Sequence, residues 1–490
     1  MPLLSNLPRD VLELIVEQLT AQDALQLSRT NKRLNNIAVF YVLRDVRLSG
    51  ERDSEVDRES SLLKTPDSEG SRAPNLRRLE RVASFASFVL SNPALYAHHI
   101  RSLALIWGVF CGCSSNSELT SGNLDRACLC ASAPPLLVQV LGHAGELRRL
   151  TIYKPGWMRS HTPELLDAIA ALDKLDYLEI GQTQWEFPAI ISRIRSRPSE
   201  IVLDGCSDRG STLEHLKPHA STLRRLTLRR IKLDNIADVS FSWPHVETLI
   251  LRYVCASIPF SALPRLFPNA RRVTLWRLSG SVLDGSSHWP SVDTFTAASL
   301  APVVSSQIRR VDMMDAPWRH GLQPLEWISP VVLSYTPRLL PGTHIDDLAS
   351  GTWCTSLRFL RLHGIQSDEE YWEQTLVPHL RRLSASPLCD SLKALSLRQH
   401  PFASFAMIAL FNPNFWISQA QKLIEYFPNL DYVGFEVATD NAQSALAAAH
   451  WYRQFRAKGD DQGPPILVQI PQSEISDLIW MLENMERVSA

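Results

Sequence analysis

The stretch Leu223-Arg224-Arg225-Leu226-Thr227-Leu228 is followed 23 residues later by Val246-Glu247-Thr248-Leu249-Ile250-Leu251, and the two share one frame. Apolar residues occupy the first, fourth and sixth positions, with polar or β-branched residues between. Alternate side chains of a short strand point to one side, so the fourth and sixth positions face one core. The same frame recurs upstream at Ile100-x-x-Leu103-x-Leu105, Leu147-x-x-Leu150-x-Ile152, Leu175-x-x-Leu178-x-Ile180 and Pro198-x-x-Ile201-x-Leu203. Downstream it returns at Ala270-x-x-Val273-x-Leu275, Leu357-x-x-Leu360-x-Leu362, Leu392-x-x-Leu395-x-Leu397 and Leu430-x-x-Val433-x-Phe435. Weaker copies start at Val292 and Ile308. The central starts lie about 22–25 residues apart, the period of a repeat in which each strand is stacked beside the last by a returning segment.

Punctuation supports the period. Trp243-Pro244, Phe267-Pro268, Trp289-Pro290 and Phe427-Pro428 each stand just before a strand. Proline stops the preceding helix, and the ring is placed to plug the layer between turns. Pro163–Leu172 and Ile417–Phe427 read as helical returns. The frame, the period and the Leu-rich positions resemble leucine-rich repeats in a degenerate form. The Asn or Cys that such repeats carry three residues past the frame stands only at Cys206; Ile231, Val254, Leu278, Leu300, Ile365 and Ala438 replace it elsewhere. The turns must then satisfy their backbone in another way.

The N-terminus has a different pattern. Leu7-Pro8-Arg9-Asp10-Val11-Leu12-Glu13-Leu14-Ile15-Val16-Glu17-Gln18-Leu19 predicts a helix with Pro8 in its first turn and an apolar face at Val11, Leu12, Ile15, Val16 and Leu19. Thr20, with Asp23 three residues on, predicts a second helix carrying Ala24, Leu25 and Leu27; Thr30 is placed to cap a third, with Leu34, Ile37, Ala38 and Tyr41 on one side. About 40 residues are near the lower limit for unassisted folding. The apolar surface there exceeds what so small a core can cover, which marks either a partner surface or the cap of a larger domain.

The run Leu7-Pro8 … Val11-Leu12 … Ile15 … Leu19 … Asp23 … Leu25 … Leu27-Ser28 … Lys32-Arg33-Leu34 … Ile37-Ala38 closely resembles the F-box, in the form common in fungal proteins. The resemblance implies a three-helix unit that docks on the Skp-family adaptor of cullin–RING ubiquitin ligases. By position, Leu7, Pro8, Leu12, Ile15, Leu19, Leu25 and Leu27 match residues that the family uses for docking or for its core. Thr30-Asn31 before the basic pair, Leu34 after it and the absence of a late Trp depart from the family pattern.

The expected architecture is α/β: a three-helix F-box, then an irregular leucine-rich-repeat-like solenoid with a parallel sheet on its concave face and helices outside. The expected divisions are an adaptor-docking domain over 1–48, a Ser-rich charged linker over 49–75, the repeat array over 76–440 and a capping segment over 441–490. In that last segment, helices at Asn441–Lys458 and Ser473–Arg487 flank the strand-like Ile466–Ile470. The implied function is a non-catalytic substrate receptor of an SCF-type ligase, tied through its Skp-family adaptor to a cullin. The alternative is a repeat scaffold acting outside any ligase.

Bulk properties exclude other classes. Lys and Arg number 50 against 51 Asp and Glu in 490 residues, so the chain lacks the positive excess that nucleic acid or a membrane surface demands. No apolar run approaches the roughly 18 residues of a membrane span. Met1–Asn6 lacks the pattern of a secretory signal, and eight cysteines are too few for a disulfide scaffold, so a cytoplasmic or nuclear setting is expected. No phosphate loop, zinc helix or nucleophile elbow is found, and no cofactor is expected. Cys111, Cys113, Cys128 and Cys130 form two thiol pairs with the donor set of a tetrahedral zinc, or else an ordinary polar loop. Pro218 keeps His215 and His219 off a shared helical face. On the strand side opposite the leucines, Arg225, Arg229, Arg252, Arg272, Trp276 and Arg310 recur, with Arg149 and Tyr153 nearer the start. They read either as a track for an acidic or phosphorylated target or as solvated charge that keeps an exposed sheet soluble.

Overall fold

The computed structural model describes residues 7–48, 72–106, 133–153, 163–181, 188–205, 212–233, 236–254, 261–276, 289–297, 308–313, 329–336, 355–365, 372–399, 413–438, 446–455 and 465–486. They form two compact units: one runs to Val246 and takes in 253–257, and the other holds Glu247–Arg252 and the chain from 258 onward.

The first unit opens with three helices, α1 (Arg9–Glu17), α2 (Ala21–Ser28) and α3 (Lys32–Arg44). Pro8 sits one residue outside α1, at φ −52° and ψ 152°, and its carbonyl accepts the Leu12 N–H. It therefore caps the helix rather than filling the expected first turn. Thr20 caps α2 as expected, its side chain accepting from the Asp23 N–H. The cap of α3 is Asn31, not Thr30. Asn31 Oδ1 accepts from the Leu34 N–H at 2.9 Å, while Thr30 Oγ1 turns back to donate to the Leu27 carbonyl.

Helix α3 runs straight into strand β1 (Asp45–Leu48), which pairs in parallel with β2 (Ser102–Leu105). The sheet thus begins inside the first 48 residues. Helices α4 (Arg72–Ser91), α5 (Pro93–Tyr96) and α6 (Ala133–His143) lead to β3 (Arg149–Tyr153). Then α7 (Pro163–Ala171), β4 (Tyr177–Gly181), α8 (Pro188–Ile191), β5 (Glu200–Asp204), α9 (Thr212–Leu216) and β6 (Arg225–Arg229) alternate. Strands β1 to β6 pair in sequence order, all parallel. Arg72 already belongs to α4, so the expected linker ends earlier than residue 75; the rest of it lies outside the described residues.

The second unit repeats this pattern with β7 (Thr248–Arg252), α10 (Ala262–Leu266), β8 (Arg272–Trp276), β9 (Thr294–Ala297), β10 (Arg310–Met313), β11 (Val332–Tyr335) and β12 (Phe359–Ile365). It continues through α11 (Val377–Ser384), α12 (Leu388–Ser391), β13 (Ala394–Gln399), α13 (Pro413–Tyr426) and β14 (Tyr432–Ala438). Strands β7 to β14 are parallel neighbours; β15 (Leu446–Phe455) and β16 (Ile466–Gln469) then add antiparallel, before α14 (Ile475–Glu483). The architecture is α/β with a mostly parallel sheet in each unit.

The frame positions carry the core. All the frame leucines and their substitutes, from Ile100, Leu103 and Leu105 through Leu430, Val433 and Phe435, are buried. The aromatic rings before the prolines are buried too, and the Trp289 Nε1–H donates to the Phe267 carbonyl of the preceding turn at 3.0 Å. Strand entry solves the missing polar ladder. The carbonyl at the second frame position accepts two consecutive N–H groups of the next repeat: Arg148 O takes Asp176 and Tyr177, and Ser199 O takes Arg224 and Arg225. In the second unit Glu247, Arg271, Asp293, Arg309, Val331, Arg358 and Lys393 do the same. At strand entry these backbone bonds supply the continuity that a side-chain ladder would otherwise give, and side chains such as Trp289 and Ser291 add to it between turns.

The expected helix at Asn441–Lys458 is instead strand β15 over Leu446–Phe455. Trp451 and Tyr452 are both buried, on opposite faces of the sheet. Neighbouring residues can reach opposite faces only from a strand. Pairing with β14 overrides the helix propensity of the alanines. Gly434 is the register partner of Trp451, whose indole lies where a Cβ would stand. Helix α14 then folds back onto the sheet face opposite the leucines, where Ile475, Leu478 and Leu482 pack with Val332, Phe359, Ala394 and Trp451.

Candidate functional site

Two kinds of surface follow from this fold: the three N-terminal helices and, in each unit, the sheet face opposite the leucines. In the helices, Leu12, Val16, Ala24, Leu34, Ile37 and Ala38 form one core, with Leu7, Leu19 and Leu27 packed partly against it. Each leucine, isoleucine or valine among them contributes about 1.5–3 kcal/mol when fully buried. Arg33 Nη2 donates to the Leu7 carbonyl at 2.8 Å and holds the entry segment against α3. Of the residues that resemblance marked for docking or core, Leu12 is therefore core, Pro8 and Leu25 are exposed, and Leu7, Ile15, Leu19 and Leu27 lie half-buried between.

The outward face carries what the core leaves over. Leu14 is 64 % exposed, Leu25 39 % and Val11 36 %. Val11 and Leu14 lie one turn apart on α1. Leu14 escaped the amphipathic reading because it falls off the inward stripe; an apolar residue on the wrong side of a helix was the signal for it.

On the sheet face of the first unit, Arg149, Tyr177, Glu200 and Arg225 stand in one register row, with Tyr153, Gly181, Asp204 and Arg229 in another. The expected positive stripe is interleaved with acids. Arg225 Nη1 reaches Glu200 at 3.4 Å, and Arg149 lies over the Tyr177 ring, 4.3 Å from its centroid. The Tyr153 and Tyr177 hydroxyls both donate to Glu179, at 2.8 and 2.7 Å. Burial first, and then the Glu179 charge, raises both phenols well above the ordinary tyrosine value. Asp204 accepts a bidentate pair from Arg230, at 2.8 and 2.7 Å, from a left-handed residue at φ 51°. Arg229 is half-buried at the end of its row.

In the second unit Arg272 is exposed, and Arg252 and Trp276 are half-buried and paired in register. Arg310 differs. It chelates Asp312 at 3.1 and 3.0 Å and reaches Glu483 of α14 at 2.6 Å. Beside it, Arg361 is held between Glu483 and Glu436, and Ser396 Oγ donates to Glu436 at 2.7 Å. Burial alone would raise the Glu483 carboxyl, but the Arg310 and Arg361 charges hold it below the usual range. Arg309 forms a fork with Asp293, and its hydrogen bonds are the main reason that this carboxyl lies below its ordinary value.

No group of three or more His, Cys, Asp or Glu side chains suited to a metal occurs among the described residues. Cys111, Cys113, Cys128 and Cys130 lie outside them, as does Cys206. His219 is buried and bonded to the Ile191 carbonyl at 2.8 Å, whereas His215 lies four residues earlier on the short α9. No described helix is long and apolar enough to cross a membrane.

In comparison with known families the F-box domain model matches residues 4–39, which take in α1, α2 and the first part of α3. No curated protein matches the chain. F-box domains bind Skp-family adaptors, and proteins that carry them serve generally as non-catalytic adaptor subunits.

Proposed function

We propose that this chain, an F-box protein by its N-terminal domain, is a substrate receptor of an SCF-type cullin–RING ubiquitin ligase. One observation carries the reading: a helical unit matched by the F-box model leaves Val11, Leu14 and Leu25 in solvent, beside the half-buried Ile15. The apolar surface they leave exposed adds nothing to the unit's own stability and suits a partner of similar apolarity. The adaptor would cover this face and link the chain to a cullin.

The remaining chain would hold the target. Its frame, its short parallel strands and its buried leucines support a degenerate leucine-rich-repeat reading, in which the strand face opposite the leucines offers Arg225 and Arg229 in the first unit, and separately Arg252, Arg272 and Trp276 in the second, to an acidic or phosphorylated segment. Arg310 belongs to this set by register, with Glu483 as its in-chain carboxylate. The role is proximity: holding the target lysine near the charged conjugating enzyme raises its effective concentration. Co-expression with a Skp-family adaptor tests the docking half. A stoichiometric complex that survives gel filtration is expected, and free elution of the two chains overturns the reading.

A further inference from the structure

The sheet face of the second unit is already occupied, by the chain's own α14. Its manner of attachment is unlike the rest of the fold. Helix α14 forms no ladder with any strand; it is held by Ile475, Leu478 and Leu482 at one side and by the Glu483 carboxylate at its end. Arg309 Nη1 adds a hydrogen bond to the Glu483 carbonyl at 2.6 Å. Beneath it lie Arg310, Arg361 and Arg398 with Asp312 and Glu436, three cations against two carboxylates once Glu483 is set aside. That cluster by itself holds one more cation than carboxylates, and α14 supplies a third carboxylate, Glu483.

The fit leaves donors over. Arg361 Nε and Trp451 Nε1 are buried next to α14 with no acceptor among the described residues. Desolvation offsets much of the attraction in a buried charge pair of this kind, so the Glu483 contacts hold α14 less firmly than their number suggests.

We propose that this face is a receptor for an amphipathic helix that bears a carboxylate, and that α14 occupies it in cis until a target helix displaces it. The pattern required of the target is that of α14: apolar residues at i, i+3 and i+7, as Ile475, Leu478 and Leu482, and a carboxylate at i+8, as Glu483. Coupling follows by competition, because a target gains affinity in proportion to the fraction of chains whose α14 has left. The inference rests on the receptor reading above and names the class of partner it would take.

The test uses the full chain and a fluorescently labelled peptide of residues 471–486. Glu483→Lys places a cation against the three arginines and releases α14. The peptide is expected to bind this variant at least about tenfold more tightly than wild type, and its own Glu483→Gln form to lose that gain. Equal binding to both chains overturns the proposal. Hydrogen exchange on the unmodified protein decides the matter should the variant not fold. Amides of Ile475–Glu483 must exchange well ahead of those in β12 to β14, and exchange together with those strands would make α14 a permanent part of the core. Neither assay contains the adaptor, so failure here and failure of adaptor docking are read separately.

Discussion

Arg361 on β12 and Glu436 on β14 meet at 3.3 Å across the intervening β13, with side chains 6 % and 1 % exposed. A pair this deep is costly to break, because the loss of Glu436 leaves the buried Arg361 guanidinium to Glu483 of α14 in a low-dielectric site. Glu436→Ala is therefore expected to lower the stability of the second unit by about 3 kcal/mol. Adding Arg361→Met, which removes the cation and leaves Glu483 to Arg310, should restore part of it. Urea titration of the wild type, the two single variants Glu436→Ala and Arg361→Met, and the double variant measures the coupling; purely additive losses would contradict the pairing.

Docking on the adaptor separates exposed from buried positions. Leu14→Asp and Leu25→Asp place charge on side chains already in solvent, so helix content should be unchanged while adaptor capture falls at least about a hundredfold, or about 2.7 kcal/mol. Leu12→Asp, at a fully buried site, should unfold the helical unit instead. Circular dichroism beside co-purification distinguishes the two outcomes. Full capture by the Leu14 variant would move the docking face elsewhere.

Gly434 is held to glycine by the Trp451 indole rather than by its backbone angles. Gly434→Ala forces the ring out of its place beside Phe359 and beneath α14, at a cost of about 1–3 kcal/mol. Thermal unfolding checks this, and Trp451→Leu introduced together with Gly434→Ala should cost less than the sum of the two changes.

His363 gives the second unit a pH dependence of known sign. Burial first, then the charges of Arg361, Arg398 and Arg310, lowers its pKa from 6.5 to about 3, while its Nε2 lies 2.6 Å from Ser334 Oγ. Above pH 6.5 the imidazole is neutral in both the folded and the unfolded chain. Below that value only the unfolded chain takes up the proton, so stability falls with falling pH, by about 1.4 kcal/mol for each unit down toward the folded value. Denaturant titrations at pH 7 and 5 should therefore differ by about 2 kcal/mol more in wild type than in His363→Gln. An unchanged slope in the variant would show that other groups carry the acid sensitivity.

The loss of a helix cap offers a smaller check on local structure. Asn31→Ala removes the acceptor of the Leu34 N–H and should cost about 1 kcal/mol, whereas Thr30→Ala should cost only a few tenths.

What the sequence determined by itself is the part written in local periodicity. A repeating frame with apolar residues at fixed offsets can bury them only as short strands of one sense, so β2 to β10 and β12 to β14 were legible from Leu103, Leu226, Leu249 and their equivalents. The three N-terminal helices were legible from stripes and caps, within a residue at Pro8 and Asn31. Tertiary structure decided the rest. Val331-Val332-Leu333 shows no alternation because β11 is covered on both faces, by the core on one and by α14 on the other, and burial on both sides erases the period-two signal. Leu446–Phe455 reads as helix until β14 offers it a partner. Arg310 looks like its counterparts Arg225 and Arg272 by position, yet only the return of α14 gives it Glu483, 173 residues away in the chain. Pairing at that distance leaves no local pattern, because the two groups are brought together by the fold and not by their spacing.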